Sequence, residues 1–339
     1  MAFALVLLVR PASAQKFSSA GEYMTYISNQ YREVTKDYWS YAAAVAHGKS
    51  ARKIENRREG MLKTVKESEK NITAMAAWEN DKSYRDSAKA YLQKLYHLLN
   101  DDYGKIVDLE AVAEQSYDAM EAYLLAQDLA DEKLDEAFAG VKLAQNTFAI
   151  NHKVNLVDKG DDELSKKVTI AGKVNSYYKT VYLIFFKSYK QEAYMMDALN
   201  SKNVNGIEQN KNSLAKYAAE GLTKLDTMKA YDGDKSLVTN CKQMLEFYKK
   251  ECTKMSSYTN YLLKSENFDK TKKAYDAKKE SERTKEDVDK YNAAVNDMNN
   301  AGNEYNAVNS ELNQTRTTLN DNWNKSVQTF LDKHTPKYR

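Results

Sequence analysis

Histidine is the side chain most often used for metal binding and proton transfer, and this 339-residue chain has only four. They are His47, His97, His152 and His334, and none has the Glu-x-x-His or His-x-x-x-His spacing that places two ligands on one helix face. A metal centre inside a helical bundle needs such pairs on facing helices. The histidines therefore predict no metal site.

One acidic segment, Asp232-Gly233-Asp234-Lys235-Ser236, resembles the first half of a calcium-binding loop. A complete loop would have glycine at its sixth position and glutamate at its twelfth, where this chain has Leu237 and Gln243. We interpret the segment as a turn whose final serine caps the following helix. In a similar earlier segment Ser83 is predicted to do the same, with Asp86 completing a rough capping box.

Two cysteines, Cys241 and Cys252, stand eleven residues apart on one predicted helix. At about 1.5 Å per residue they are separated by roughly 16 Å along the axis, whereas a disulfide needs α-carbons within about 7 Å. We expect both to be buried free thiols, and the alternative is a bridge to a second chain.

The sequence lacks the motifs on which most single-chain catalysis depends. It has no Gly-x-Ser-x-Gly elbow, no phosphate-binding loop, no dinucleotide fingerprint and no Cys-x-x-Cys pair. The 51 Lys and Arg nearly balance the 48 Asp and Glu, and a net charge of +3 does not indicate a nucleic-acid-binding surface. We therefore expect no enzymatic activity, no cofactor and no nucleic-acid partner.

Tyrosine is unusually frequent, with 25 residues. It is rigid and amphipathic, and it is favoured on binding surfaces. Several tyrosines fall on a predicted helix over 163–200, and we select Tyr178, Tyr182 and Tyr189 as candidate contacts for a glycan or protein partner. The alternative interpretation is that tyrosine fills a helical core with its hydroxyl at the rim.

The elements that carry these residues are predicted to be long α-helices. Both prolines, Pro11 and Pro336, lie outside a proline-free stretch over 12–335, and proline inside a helix costs roughly 3 kcal/mol. Apolar residues recur in steps of three and four, and over 284–332 this pattern predicts a helix roughly 70 Å long. Turn signals separate the helices at 47–50, 78–83, 100–104, 158–162, 203–206, 231–234 and 265–267.

The chain also resembles itself. Shifted by 153 residues, 41–92 aligns without gaps on the second half, with 13 identities in 52 positions and coincident turns. We interpret this as an internal duplication. The predicted fold is all-α and elongated, with two tandem antiparallel four-helix bundles over 15–157 and 163–335, joined near Gly160. The alternative is a single eight-helix bundle with an undivided core.

A short apolar run, Phe3 to Val9, opens the chain and is followed by Ala12-Ser13-Ala14. Small residues at these positions are typical of signal-peptidase cleavage, here before Gln15, so we expect an export signal over 1–14. No cysteine follows the run, which predicts no lipid anchor. No later segment reaches the about 18–20 apolar residues of a membrane helix, and the longest candidate covers only 181–186.

Three features, together with the composition, carry a resemblance to a known family: the signal before Gln15, the opening Tyr23-Met24-Thr25-Tyr26-Ile27-Ser28-Asn29, and the closing Trp323, Phe330 and His334-Thr335-Pro336. The chain resembles an uncharacterised family of exported helical surface proteins of Bacteroidetes-type bacteria. YiiG-like helical lipoproteins are a looser match, and this chain lacks their lipid-bearing cysteine. The resemblance implies a periplasmic, secreted or cell-surface location and no known activity, and it transfers no site residues.

From these observations we expect an exported, non-enzymatic helical-bundle protein with a binding or structural role and a protein or glycan partner at the cell envelope. The alternative is a membrane-active protein of the pore-forming or toxin kind, in which the 181–186 run inserts after a conformational change. It predicts vesicle leakage that Phe185→Asp abolishes without unfolding the protein. A third possibility, an enzyme with an unrecognised site, would require a deep polar pocket between helices.

Overall fold

A computed structural model of the protein describes residues 16–47, 51–102, 112–156 and 163–337. Over these ranges the chain forms eight α-helices and no β-strand, so the protein is all-α, as predicted. The export signal predicted over 1–14 lies outside the described residues, and so does the junction predicted near Gly160.

The contacts within the chain divide it into two compact units. Unit 1 comprises Met1–Gly172 with Thr335–Arg339, and unit 2 comprises Lys173–His334. The division falls inside a helix, between Gly172 and Lys173.

The described part of unit 1 contains four complete helices, and its core lies along their apolar stripes. They are α1 (Ala20–Ala46), α2 (Ala51–Thr73), α3 (Ser83–His97), which a π-helical turn (Leu98–Asp102) extends, and α4 (Tyr117–Asn151). Tyr23, Ile27 and Val34 are buried one or two helical turns apart on α1, as their spacing predicts. Met61, Leu92 and Phe148 meet them from the other three helices.

Unit 2 uses the other four helices. They are α5 (Glu163–Asn200, in unit 2 from Lys173 onward), α6 (Val204–Thr227), α7 (Ser236–Asp276) and α8 (Lys285–His334), with a 3-10 turn (Glu280–Glu282) before α8. The bounds of α8 confirm the helix predicted over 284–332. Its 50 residues correspond to about 75 Å of helix.

The turn predicted at 265–267 is wrong, because these residues lie inside α7. The segment contains neither glycine nor proline, and α7 continues with its tyrosines packed on α8. Tyr261 stacks on Tyr305 with ring centroids 5.0 Å apart, and Tyr275 stacks on Tyr291 at 4.6 Å. This seam holds α7 and α8 together as a long helical hairpin.

The 181–186 run is part of the core of unit 2. Val181, Phe185 and Phe186 are buried, and the ring of Phe185 stacks on Trp323 at 4.5 Å. Among the residues that the structure describes, no helix combines the length and the apolarity needed to cross a membrane.

Cys241 and Cys252 are buried free thiols, which confirms the prediction made from their spacing. Burial raises the pKa of both thiols above its usual range, to about 12 for Cys252. Neither thiol is therefore poised as a nucleophile in the folded protein.

Candidate functional site

The three tyrosines predicted as partner contacts differ in their exposure. Tyr178 and Tyr182 are half-buried with ring centroids 5.6 Å apart, and burial raises the pKa of Tyr178 to about 12. Tyr189 is 39% exposed and stacks on Phe185. The structure therefore forms a partly covered aromatic row on α5, in which Tyr189 has the greatest access to solvent.

The same tight turn occurs once in each unit, between the second and third helices. Trp78-Glu79-Asn80-Asp81 and Tyr231-Asp232-Gly233-Asp234 each close with a reciprocal pair of backbone hydrogen bonds of 2.7–3.1 Å. The two central residues of each turn have positive φ, a conformation that asparagine, aspartate and glycine adopt most readily. Both turns lie where the sequence predicted them.

The caps of the helices that follow differ from the prediction. Ser83 and Ser236 do not act as caps; they are the first helical residues. Their backbone N–H groups donate to Asp81 Oδ1 and Asp234 Oδ1 at 2.8 Å, because each turn places an aspartate two residues before the serine. Asp86 forms no capping box and instead pairs with the neighbouring arginine.

The second carboxylate oxygen of each aspartate contacts a histidine at the end of the unit's last helix. His152 Nε2 lies 3.0 Å from Asp81 Oδ2, and His334 Nε2 lies 3.0 Å from Asp234 Oδ2. We call each such contact, with its turn, the Asp–His clasp. It joins parts of the chain that are 71 residues apart in unit 1 and 100 residues apart in unit 2.

Aromatic rings support both clasps in the same way. The ring of His152 packs on Phe148 at 4.3 Å, and that of His334 packs on Phe330 at 4.7 Å. A tyrosine of the first helix stacks on each phenylalanine: Tyr23 on Phe148 at 5.4 Å and Tyr177 on Phe330 at 5.6 Å. Both tyrosine hydroxyls donate to a backbone carbonyl just before the turn.

The clasps differ in their charged neighbours. Burial alone would raise the pKa of Asp234, but hydrogen bonds from Lys333, His334 and Ser236 hold it well below its usual range. Burial also opposes the lowered pKa of Asp81, whose hydrogen bonds come from Ser83 and His152 alone. The shift is larger in unit 2 because Lys333 adds a charged donor 2.8 Å from the carboxylate.

The clasp geometry is suited to holding helices together. In unit 1 the serine hydroxyl donates to Asp81, and His152 Nδ1 faces Glu79 Oε2 at 3.4 Å, so both ring nitrogens face carboxylates. A nucleophile activated by histidine would have to donate its proton to a ring nitrogen. Within the described ranges, no group of three or more His, Cys, Asp or Glu side chains could hold a metal ion.

Sequence reasoning missed both histidines of the clasps, although a signal was present. Phe148 and His152 are separated by three residues, and so are Phe330 and His334. These pairs lie 182 residues apart, whereas the turns lie 153 apart, so an alignment without gaps cannot show both. The difference of 29 residues arises in the longer α7–α8 hairpin of unit 2.

The clasps also provide a residue-by-residue register between the units. In the first helix, Tyr23 matches Tyr177, which gives an offset of 154 residues. The offset is 153 residues for the turn and the third helix, and 182 residues for the last helix. Buried positions agree with the first offset, since Ile27 matches Val181 and both are buried. We use these offsets to name matching positions.

A charged group lies in the core of unit 2. Glu192 of α5 and Glu251 of α7 are 4% and 0% exposed, and both accept hydrogen bonds from the guanidinium of Arg316 on α8. In the part of the chain that the structure describes, Glu251 Oε2 is buried without a hydrogen-bond partner. Burial, and next the negative charge of Glu192, raise the pKa of Glu251 to about 8, although Arg316 acts in the opposite direction.

The matching positions of unit 1 have no charge. They are Tyr38, Leu98 and Leu134, which are buried or pack against the core. The same place in two similar units is therefore apolar or aromatic in one and ionic in the other.

The outer face of α4 carries large apolar side chains. Successive helical residues are rotated by about 100°, so Leu125, Leu129, Leu143 and Ile150 share one face, opposite the buried side of α4. All four are exposed, Leu143 by 68% and Ile150 by 78%. We call them the α4 outer row.

Two glutamates interrupt the α4 outer row. Glu132 and Glu136 are exposed and project from the same face, between Leu129 and Leu143. The row thus consists of two apolar pairs separated by negative charge.

Unit 2 has charged residues at three of the four positions that match the α4 outer row, and Ala307 at the position that matches Leu125. The positions matching Leu129, Leu143 and Ile150 are Glu311, Lys325 and Asp332, and all three are exposed. Large apolar side chains on this face are therefore not a requirement of the helical arrangement.

No protein-family model, curated protein or solved structure matches this chain significantly. Its functional assignment therefore depends on the site geometry described above. Among the described residues, the α4 outer row has no evident role in holding the helices together, and the buried charges of unit 2 have no counterpart in unit 1.

Proposed function

We propose that the protein is an exported, non-enzymatic binding protein of the cell envelope, and that the α4 outer row of unit 1 is its contact surface. The comparison between the units carries this proposal. A leucine side chain left in water lacks the roughly 1.5–3 kcal/mol of stabilisation that its burial would give. At the matching positions unit 2 has the charged residues Glu311, Lys325 and Asp332 instead of large apolar ones. Apolar residues that the helical arrangement does not need favour a binding role.

The partner is a protein helix that is apolar on one face and carries lysine or arginine in its middle. A row along a single straight helix is complementary to another helix, whose own residues repeat every three or four positions. Glu132 and Glu136 stand between the two apolar pairs, so a basic residue there would complete the contact. Burial of the apolar pairs would supply most of the affinity, and the charges would select the partner.

The envelope location is supported by the sequence alone. The apolar run Phe3–Val9, the small residues of Ala12-Ser13-Ala14 and the resemblance to exported helical proteins all favour export. Mass determination of the chain recovered from envelope and cytosolic fractions tests it. Removal of residues 1–14 in the envelope fraction supports export, and an uncleaved cytosolic chain contradicts it.

Site-specific photocrosslinking in the native cell tests the binding proposal. A photoreactive amino acid is placed at Leu143 or at Ile150, and at the matching positions Lys325 and Asp332 as controls. We expect one protein to crosslink at the first two positions and not at the controls. The crosslinked peptide should come from a helix with lysine or arginine beside its apolar face.

A point substitution then links the crosslink to binding energy. Leu143→Asp adds charge to an exposed position and should leave the fold intact, while reducing crosslinking from Ile150 by tenfold or more. Lys325→Asp is the matched control and should have no effect. Equal crosslinking at all four positions, or none at Leu143 and Ile150, would contradict the assigned surface.

A further inference from the structure

The buried charges of unit 2 cannot all be satisfied when every group is ionised. Arg316 Nε donates to Glu192 Oε1 and Arg316 Nη2 donates to Glu251 Oε1, so one guanidinium serves two carboxylates. With both carboxylates ionised the group has a net charge of −1 in the core, where Glu251 is fully buried. An unbalanced charge in such surroundings is strongly unfavourable, so these side chains favour a neutralising ligand.

From this arrangement we propose that the core of unit 2 is a proton-binding site, in which Glu251 holds one proton between the Glu192 carboxylate and the Arg316 guanidinium, and that losing the proton weakens unit 2 alone. A proton fits better than a metal ion because, among the described residues, these two carboxylates belong to no group of three or more potential metal ligands. Glu251 lies within hydrogen-bonding reach of Glu192, so a protonated Glu251 can donate to it. The bound proton leaves the group neutral, since one guanidinium then faces one carboxylate.

Among the residues that the structure describes, no other group acting on Glu251 supplies the missing positive charge. The titratable groups that act on Glu251 or on its immediate neighbours come from all four helices of unit 2. They are Tyr189 and Glu192 of α5, Lys211 of α6, Tyr248, Cys252 and Tyr258 of α7, and Tyr305 and Arg316 of α8. Of the two cations, Lys211 pairs with Glu208 at 2.5 Å, which leaves Arg316 as the cation of the core.

The direction of the pH effect follows from the raised pKa of Glu251. An unfolded chain releases the proton near the ordinary glutamate pKa of about 4.5, whereas folded unit 2 keeps it until about pH 8. The stabilisation is therefore fully present below about pH 4.5 and is lost as the pH rises through about 8. Unit 1 has no carboxylate at the matching positions Tyr38, Leu98 and Leu134, so it should lack this dependence.

Hydrogen exchange with mass spectrometry on the full-length protein tests the proposal, because its peptides report the two units separately. Protection is measured between about pH 5 and 9 and corrected for intrinsic exchange. Linkage of one proton predicts that protection of unit 2, relative to unit 1, falls about tenfold per pH unit up to about pH 8. Each unit contains one Asp–His clasp, and the lowered pKa of its aspartate keeps that carboxylate ionised over this range in both units. If the ratio of protection in unit 2 to protection in unit 1 does not change with pH, the proposal is overturned.

Two variants on α7 assign the effect. Glu251→Gln keeps the shape of the side chain but cannot release a proton, so it should abolish the pH dependence of the ratio. Glu246→Gln is the matched control, because Glu246 lies on the same helix but is exposed and pairs with Lys249. It should leave the dependence unchanged. A slope that persists in Glu251→Gln would exclude Glu251 as the proton carrier.

Infrared spectroscopy on the unaltered protein gives a second measurement if Glu251→Gln does not fold. At about pH 7 almost every carboxyl group is ionised, so a protonated carboxylic acid gives a distinct carbonyl-stretch band. We expect this band at about pH 7 and its loss above about pH 8. Absence of the band at about pH 7 would overturn the proposal, whatever the behaviour of the variants.

Discussion

Unit 1 and unit 2 close their helices with the same Asp–His clasp, yet they differ inside and outside. The core positions occupied by Tyr38, Leu98 and Leu134 in unit 1 hold Glu192, Glu251 and Arg316 in unit 2. Outside, three of the four large apolar residues of the α4 outer row correspond to charged residues on α8, and the fourth, Leu125, corresponds to Ala307.

The comparison separates what the helical arrangement needs from what it tolerates. In both units a turn that places an aspartate at a helix N-terminus meets a histidine at the end of the last helix. The identity of the central core residues and of the outer face varies while this contact is kept. The internal duplication stays a prediction, and the positions at which the units differ are those for which we propose separate roles.

The largest expected effect comes from giving unit 2 one core residue of unit 1. Arg316→Leu leaves Glu192 and Glu251 buried without a cation, and we expect a loss of about 3–5 kcal/mol from the free energy of unfolding of unit 2. Urea unfolding followed by hydrogen exchange in unit 2 peptides measures it. Peptides of unit 1 serve as the internal reference and should not change.

The triple variant Glu192→Tyr, Glu251→Leu and Arg316→Leu completes the exchange. It removes both carboxylates together with the guanidinium, so stability should recover to about that of the unaltered protein or exceed it by about 1–4 kcal/mol. If the triple variant is as unstable as Arg316→Leu, the matching of core positions between the units is wrong.

The next effect concerns the clasps. Asp81→Ala and Asp234→Ala each remove a helix cap and a partner of a half-buried or buried histidine, and we expect each to cost about 1–3 kcal/mol in its own unit. Exchange in α3 peptides reports the first variant and exchange in α7 peptides the second. An equal loss in both units from one substitution would mean that the clasps do not act locally.

Acid should affect the clasp of unit 2 more strongly. The pKa values of Asp81 and Asp234 are lowered in the folded state, so their stabilisation is present above the unfolded value of about 3.8 and is lost as the pH falls below it. The shift is larger for Asp234. As the pH is lowered from about 5 to 3, the free energy of unfolding of unit 2 should fall less in Asp234→Asn than in the unaltered protein. This difference should be larger than the one that Asp81→Asn produces in unit 1.

The acid experiment has a clear opposite outcome. Circular dichroism and hydrogen exchange measure how the stability of each unit changes with pH. If Asp234→Asn alters this dependence in unit 2 no more than Asp81→Asn alters it in unit 1, then Lys333 adds nothing to the clasp of unit 2. The additional substitution Lys333→Ala, which should make the two profiles alike, locates the cause.

The smallest expected effect is in the turns. Gly233 has φ of +78° with open space around its α-carbon, so Gly233→Ala should cost about 1–2 kcal/mol through backbone strain alone. Gly233→Asn introduces the residue that unit 1 has at Asn80, where φ is +70°, and should cost only a few tenths. Thermal unfolding distinguishes the two variants, and equal losses would contradict the argument from φ.

The local structure of this protein was largely predictable. The apolar stripe without proline predicted α8 to within two residues at each end, and turn residues such as Asp232-Gly233 predicted the loops. The turn predicted over 265–267 failed because a polar stretch inside a long helix looks like a loop when the packing partner is not known. There α7 is held by α8.

The buried charges left a signal that the sequence analysis did not use. Arg316 stands between Leu312 and Leu319 on the apolar stripe of α8, and Glu251 stands between Tyr248 and Met255 on α7. Charged residues at stripe positions indicate either buried ion pairs or the edge of the core. With 48 acidic residues in the chain, only the packing distinguishes the two.

The sequence by itself determined the helices and turns, because the period of 3.6 residues, the absence of proline and the preference of glycine and asparagine for positive φ act between neighbours. Only the tertiary structure decided which side chains meet: His152 with Asp81, His334 with Asp234, and two glutamates with one arginine. Such contacts join residues up to 124 positions apart, and they depend on the rotation and relative height of packed helices. No local pattern encodes those two quantities.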